Sequence, residues 1–598
     1  MANKKTPINY TSRDFSSIKQ DLINYAKRSY SETYKDFNQS SFGSLMLDTV
    51  SYVGDILSFY LDYQVNESFL DTAAEYSNVS RLSRQFGFRM DGFPSATGIA
   101  EYFIVVPSNS TAIGPDMRYA PILKPGSQFS TQSGAPFLSI DSVNFANPNN
   151  EVVVAKVNPS TGTPTFYAIR AKGRVISGKI VEETFNIGEY QRFRRIMLSL
   201  PRVSEVLSVI DEDGNEYYNV ENLSQDIIYK NVSNKMDNRD TVSDLLRPFS
   251  VPRRFVVERE GRFSYLQFGY GSQDEASSEA DVAEPSNVVL KMNGKQYISD
   301  MNFDPSRLIK TDKFGVAPVN TTLTVRYRVN SVENVNAPVA TLTTVNNAAF
   351  SFRGVRQLNP QILNQVRESL EIFNPDPIVG DVTEPTSEEL RIRTKDSFAT
   401  QNRAVTKKDY ESMVYSMPNK FGAIKRCKIT RDPDSFKRNL NLYILSEDSG
   451  GKLTLANQTL KQNLKVWLNS VKMINDTIDI IDGKIVNLSI DFKIISDVDK
   501  NKYDVLDSCV NALKVKFEQP LLIGEPFYIT DVYTCLNEVP GVVDTESVKI
   551  NIKNGLSYSD TRFNLETQKS ADGRYIKAPD NVAFEIKIPN QDIKGTVK

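Results

Sequence analysis

Six residues, DEDGNE at 211 to 216, are the clearest candidate for metal chemistry, because Asp211, Asp213 and Gly214 match three positions of an EF-hand calcium loop. The first ligand position falls on Val209, which cannot coordinate, so the segment EVLSVI-DEDGN-EYYNV reads instead as a β-hairpin closed by an Asp-Gly turn. The glycines of FGYG (268 to 271) and SGGK (449 to 452) lack the spacing that lets backbone amides cradle a phosphate, and both read as turns. Glu388-Glu389, Asp432 with Asp434, and Glu447-Asp448 put carboxylates close together, but Glu388 and Glu389 sit at a helix start, where the macrodipole favours negative charge.

The chain contains no histidine. That removes the usual general base, the Ser-His and Cys-His nucleophile pairs and imidazole-based metal centres. Cys427, Cys509 and Cys535 lie far apart with no CxxC spacing, so neither a disulfide framework nor a zinc cluster is indicated, and these residues and Trp467 read as core. No catalytic, cofactor-binding or metal site is predicted, and the expected class is not an enzyme. With 71 basic and 73 acidic residues the net charge is -2, which argues against a broad phosphate-binding face; Arg194-Arg195 and Arg253-Arg254 read as surface strand ends. The opening residues lack the apolar core of a signal peptide, and no stretch approaches the ~20 apolar residues of a membrane span. Neither nucleic acid nor membrane is an expected partner.

At 598 residues the chain is long enough for several cores. Residues 1–95 read as a helical segment: one helix capped by Ser12 or Asp14, a second from about 43 to 64 capped by Ser40 or Ser41, and a third from about 68 to 86 before Gly87. Residues 96–345 alternate with period two in EYFIVV, EVVVAKV, RFVVE and TTLTVRYRV, a mostly antiparallel β region. A helix and the linker PDPIVGDVTEP fill 346–385. An α+β domain (386–552) opens with the capping patterns Thr386/Glu389 and Thr406/Asp409, and a β-like tail covers 553–598. The predicted class is α+β multidomain.

The second helix carries the strongest signal. Asp48, Asp55 and Asp62 recur every seven residues within SLMLDTVSYVGDILSFYLDY. At ~100° per residue they line up beside Ser44, Ser51 and Ser58, and an apolar arc of about 200° covers the rest, roughly twice what one core face uses. Leu45, Met46, Val50, Tyr52, Val53, Ile56, Leu57, Phe59, Tyr60 and Leu61 are the predicted partner-binding residues of a helix clasped on two sides, with the Ser/Asp strip left to face water.

The run from 43 to 88, with its Gly-x-x-x-Leu-Asp and Asn-Glu-x-Phe-Leu-x-x-Ala elements, resembles the N-terminal signature of the baseplate J-like wedge proteins of contractile-tailed phages. ILKPGSQFSTQSGAPF (122 to 137), YLQFGYG (265 to 271), SEELRIRTKDSFATQNRAVTKKDYESMV (387 to 414) and IGEPFYITDVYTCLNEVPGVVDTESV (523 to 548) resemble further family motifs in order. Val379-Gly380 replaces the usual Gly-Gly, an insert at about 140–250 and a tail after 555 exceed the shorter members, and that length is more like the larger, dimer-forming wedge subunit of T-even-like phages. The resemblance implies a structural subunit that homodimerises, bundles its helical part with another wedge protein, and contacts neighbouring copies through its C-terminal domain. It further implies wedges joined into a ring around the hub, with sheath-initiator-type and hub-proximal proteins as neighbours, and a conformational change that releases sheath contraction. Such a protein is assembled in host cytoplasm and resides in the virion tail baseplate. The other expectation is a tail-associated carbohydrate-binding or hydrolytic protein built on the β region.

Overall fold

The computed structural model describes residues 14–29, 41–88, 92–109, 114–233, 244–271, 314–330, 335–353, 358–433, 439–518, 520–555 and 558–598. Two compact units emerge, one of residues 1–89 with 385–399, the other of 90–384 with 400–598. N-terminal helices, mostly antiparallel β sheets and a C-terminal α+β region follow in order, as the sequence predicts.

The first unit holds α1 (Phe15–Ser29), α2 (Phe42–Asn66), α3 (Tyr76–Gln85) and most of a later helix beginning at Ser387. Asp14 caps α1, accepting from the Ser17 N–H at 3.2 Å, and Ser41 caps α2, accepting from the Ser44 N–H at 3.1 Å. Ser12, Ser40 and Asp434 lie outside the described residues. The third helix starts at Tyr76 rather than near residue 68. Glu67 explains the delay: its carboxylate accepts from the Ala74 N–H and the Asn78 side chain, both at 2.8 Å, and so holds residues 67–75 in a turn. Burial works to raise the Glu67 carboxyl, but those bonds and one from the Glu75 N–H outweigh it and keep it below the ordinary value.

In the second unit, Thr97–Pro107 pairs antiparallel with Pro164–Ser177 along its whole length, at the centre of a seven-stranded sheet. Tyr102, Ile104 and Val106 alternate into its core, where each is fully buried. A second seven-stranded sheet is built round Thr321–Val329, flanked by Lys179–Ile187 and Val203–Ile210. The FGYG turn, which ends the strand Phe263–Phe268 of this sheet, lies so close to the loop at 314–315 that a Cβ on Gly269 would be 2.1 Å from the Phe314 carbonyl oxygen, which only glycine tolerates.

Arg254 departs from the expected surface position. It is fully buried and donates to the Leu223 and Val251 carbonyls at 2.7 and 2.9 Å, with burial pushing its guanidinium down to about 10. Arg195 does lie at a strand surface, 3.2 Å from Glu258 and 3.0 Å from Glu260.

The segment read as a linker is a buried strap. Ile378 and Ala337 exchange two 2.9 Å backbone bonds, the Thr97 N–H donates to Val379, and Ile378, Val379 and Asp381 are all buried. Its prolines suggest a spacer, but the apolar Ile378-Val379 pair between them finds backbone partners on both sides, and those contacts decide its state. Asp381 ends the strap in a polar node. Its carboxylate accepts from the Val335 N–H at 2.6 Å, and the Asn336 amide bridges to the carbonyl oxygens of Asp381 and Glu447. Lys425 pairs with Glu447 at 3.0 Å, both side chains buried.

The helix Pro360–Glu368 (α4) precedes the strap, and the helix Ser387–Thr400 (α5) follows it. Lys407–Tyr415 (α6) begins with the predicted capping box, Thr406 and Asp409 each accepting the other's backbone N–H. With Gln458–Val471 (α7) it covers a sheet of Arg426–Arg431, Asn439–Glu447 and Thr477–Asp482. Trp467 ties these helices together by donating to the Met413 carbonyl at 2.8 Å. Lys484–Ser496 centres the last sheet, covered by Lys502–Lys516 (α8) and Ile529–Asn537 (α9). The residues read as a tail add two strands to it, Val582–Glu585 and Ile593–Val597, both parallel to the central one.

Candidate partner-binding helix

Of the carboxylates singled out by the sequence, Asp211, Glu388, Glu447 and Asp448 are engaged by local structure. Asp211 accepts from the Asn215 backbone and side chain and closes the predicted hairpin. Glu388 pairs with Arg391, and Asp448 accepts from the Gly450 and Lys452 N–H groups in the SGGK turn. Among the described residues no three Asp, Glu or Cys side chains are grouped to hold a metal ion, and no helix is long and apolar enough to cross a membrane.

α2 remains, and the structure reverses which of its faces is covered. Ser44 and Ser51 are buried, and Asp48 is ion-paired to Lys19 of α1 at 2.5 Å. Gly54 lets α1 approach, since a Cβ there would meet the Ile18 methyl at 3.3 Å. The Ser/Asp strip expected to face water is therefore the face that packs on α1. Small side chains allow close approach, Ser51 satisfies its hydroxyl on the Leu47 carbonyl at 2.7 Å, and Lys19 supplies the countercharge, so a polar strip becomes a helix contact.

The apolar arc is left outside. Leu45, Met46, Val50, Tyr52, Val53, Leu57, Phe59, Tyr60 and Leu61 are each about half exposed or more, with Leu61 at 65%, while Ile56 is half-buried. Nine of the ten predicted residues thus lie on one open face of the described unit. The sequence reading missed Phe42, 75% exposed, and Val65, which extend the same arc to both helix ends and would appear on a wheel drawn over the whole of α2. It also missed Phe69, Ile392 and Phe398, exposed on the turn after α2 and on α5; no periodic signal links them.

What holds the turn behind α2 comes from more than three hundred residues away. Arg391 of α5 donates to the Leu70 and Ala73 carbonyls at 2.6 and 2.7 Å, and Thr394 donates to the Ser83 hydroxyl at 2.8 Å. Lys395 pairs with Asp71, and Phe398 meets Phe86 edge to face with centroids 5.9 Å apart. The Asn-Glu-x-Phe-Leu-x-x-Ala element is thus a turn capped internally by Glu67 and externally by Arg391.

This helical region, α1 through α3, is also where a known family is detected. Residues 14–85 match the bacteriophage baseplate protein N-terminal domain. The match supports a baseplate protein of a phage or phage-like tail, and with it a place in the baseplate alongside other baseplate components. No curated protein matches the chain. Among solved structures, the cryo-EM structure of the anti-feeding prophage (AFP) baseplate, 6-fold symmetrised, aligns over 98% of this chain and 99% of that chain at 9% identity and a TM-score of 0.23, too low to transfer any contact.

Proposed function

We propose that this chain is a structural wedge subunit of the baseplate J-like type in a contractile phage tail, and that it acts by association rather than catalysis. The observation that carries the reading is a coincidence of place: the segment matching a baseplate N-terminal domain is the one whose central helix exposes an apolar arc about 200° wide. Solvent-exposed apolar surface of that extent is a protein contact. Because α1 occupies the remaining face, the arc has room for two further helices, supplied by another wedge protein. On this reading the chain dimerises, wedges join into a ring around the hub, sheath-initiator-type and hub-proximal proteins are neighbours, and the ring passes on the change that releases sheath contraction.

Two measurements test it. Electron microscopy of whole particles with a label fused to this chain should place the label on the baseplate ring, and the chain co-expressed with the other tail proteins should co-purify with one of them through residues 42–66. A label on a fibre or spike, or a complex that survives removal of the α2 arc, overturns the wedge assignment.

A further inference from the structure

The strand Glu151–Val157 is paired on one side only: Pro164–Ser177 runs antiparallel to it, and no described strand lies on its other edge. All of its residues are exposed, Val153, Val154 and Val157 at 55, 51 and 55%. An open edge with three consecutive valines is a template for strand addition.

Its register says which strand fits. Glu151, Val152, Val153 and Val154 face Arg170, Ile169, Ala168 and Tyr167 in turn, then Ala155 is skipped and Lys156 faces Phe166. That extra residue is a β-bulge, and it shifts the alternation so that Glu151, Val153 and Lys156 share one face. Arg170 is ion-paired to Glu151, and the Lys156 ammonium lies 5.8 Å from the Phe166 ring centroid, so both charges are held on that face. An antiparallel copy of the strand, turned about a two-fold axis through Val153, sets Glu151 against the partner's Lys156 at both ends, Val152 against Val154, and Val153 against itself. Without the bulge Lys156 would fall on the opposite face and the charges would not meet.

We propose that the edge strand Glu151–Val157 pairs antiparallel with the same strand of a second copy of this chain, about a two-fold axis at Val153. The contact is isologous and closes at two copies, so it does not propagate. It stands on strand register alone and is independent of the role assigned to α2.

The test is oxidative crosslinking of the full chain at concentrations on the order of 100 μM, since an interface smaller than the ~1,200 Å² of standard complexes is weak in isolation. V153C brings two thiols within cross-strand reach and should give a covalent dimer well above the native chain, whose Cys427 and Cys509 are buried and Cys535 half-buried. Adding K156E should lower the yield about tenfold, and the combined E151K/K156E reversal should restore it. Circular dichroism should show the native melting temperature for V153C with and without K156E, whose changed side chains are exposed, and at most a small drop for the reversal, which sets a lysine beside Arg170. A V153C yield no greater than that of the native chain, an unchanged yield with K156E, or V153C crosslinked to a different tail protein instead overturns the proposal. Loss of partner binding through α2 would leave the crosslink unchanged, so the two readings fail separately.

Discussion

Leu57 is 61% exposed on the outer side of α2, so Leu57→Asp removes little that the folded chain uses. The cost to the free chain is the helix-propensity difference, below about 0.7 kcal/mol. The cost to a bundle is much larger. Full burial of a leucine contributes about 1.5–3 kcal/mol, and the exposed share still available to a partner is therefore about 1–2 kcal/mol. Placing a carboxylate in that contact adds at least about 2 kcal/mol, whether it stays charged or takes up a proton. Together these give about 3–5 kcal/mol, about two to four orders of magnitude in Kd. Calorimetric titration of the chain with the purified wedge partner measures this, and a thermal melt of the variant alone serves as the control. Val53→Asp, at 49% exposure, should behave alike. Unaltered affinity, or a melting temperature that falls as far as the affinity does, would refute the reasoning, the first by showing the arc unused and the second by showing it already packed.

Ser51→Leu should destabilise the α1–α2 pair by about 1–3 kcal/mol, because Ser51 is fully buried where the two helices meet; hydrogen exchange of α1 reads it, and a water-facing Ser51 would show no change. Arg391→Ala should loosen residues 66–75, leaving the Leu70 and Ala73 carbonyls without their donor at about 1–3 kcal/mol each, seen as faster amide exchange in α3 with the β sheets unaffected. Asp381 supplies a pH dependence: burial first, and then the charge of Glu447, push its carboxyl up to about 7 from 3.8, against the Val335 N–H, Arg202 and Arg328. The fold therefore holds a proton that the unfolded chain releases, so this group's stabilisation is complete below about pH 4 and is lost as pH rises through about 7. Urea melts should show a slope of up to about 1.4 kcal/mol per pH unit across that window, absent in Asp381→Asn, whose side-chain oxygen still accepts from Val335.

Elements governed by near neighbours were legible in the sequence. The caps at Asp14, Ser41 and Thr406, the Asp-Gly hairpin at 211–216, and the strands of EYFIVV and TTLTVRYRV appear where propensity and periodicity place them. Misreadings came where a distant segment decides the outcome. The strap at 375–385 has a linker's prolines but is pinned by Ala337 and Thr97, and residues 582–597 look like an appendage until they join the sheet of Lys484–Ser496.

α2 shows the division most clearly. Periodicity alone determined that it is a helix, that its polar residues form one narrow strip and that its apolar surface exceeds the needs of one core, because side-chain direction on a helix follows from 3.6 residues per turn. Which face is covered was beyond it. That was decided by Ile18 and Lys19 of α1, which reach Gly54 and Asp48 only once the helices are side by side, and by Arg391, more than three hundred residues away, which holds the turn behind them. A serine and aspartate strip suits water and a small-residue helix contact equally well, and only the arrival of a matching lysine in three dimensions selects between them.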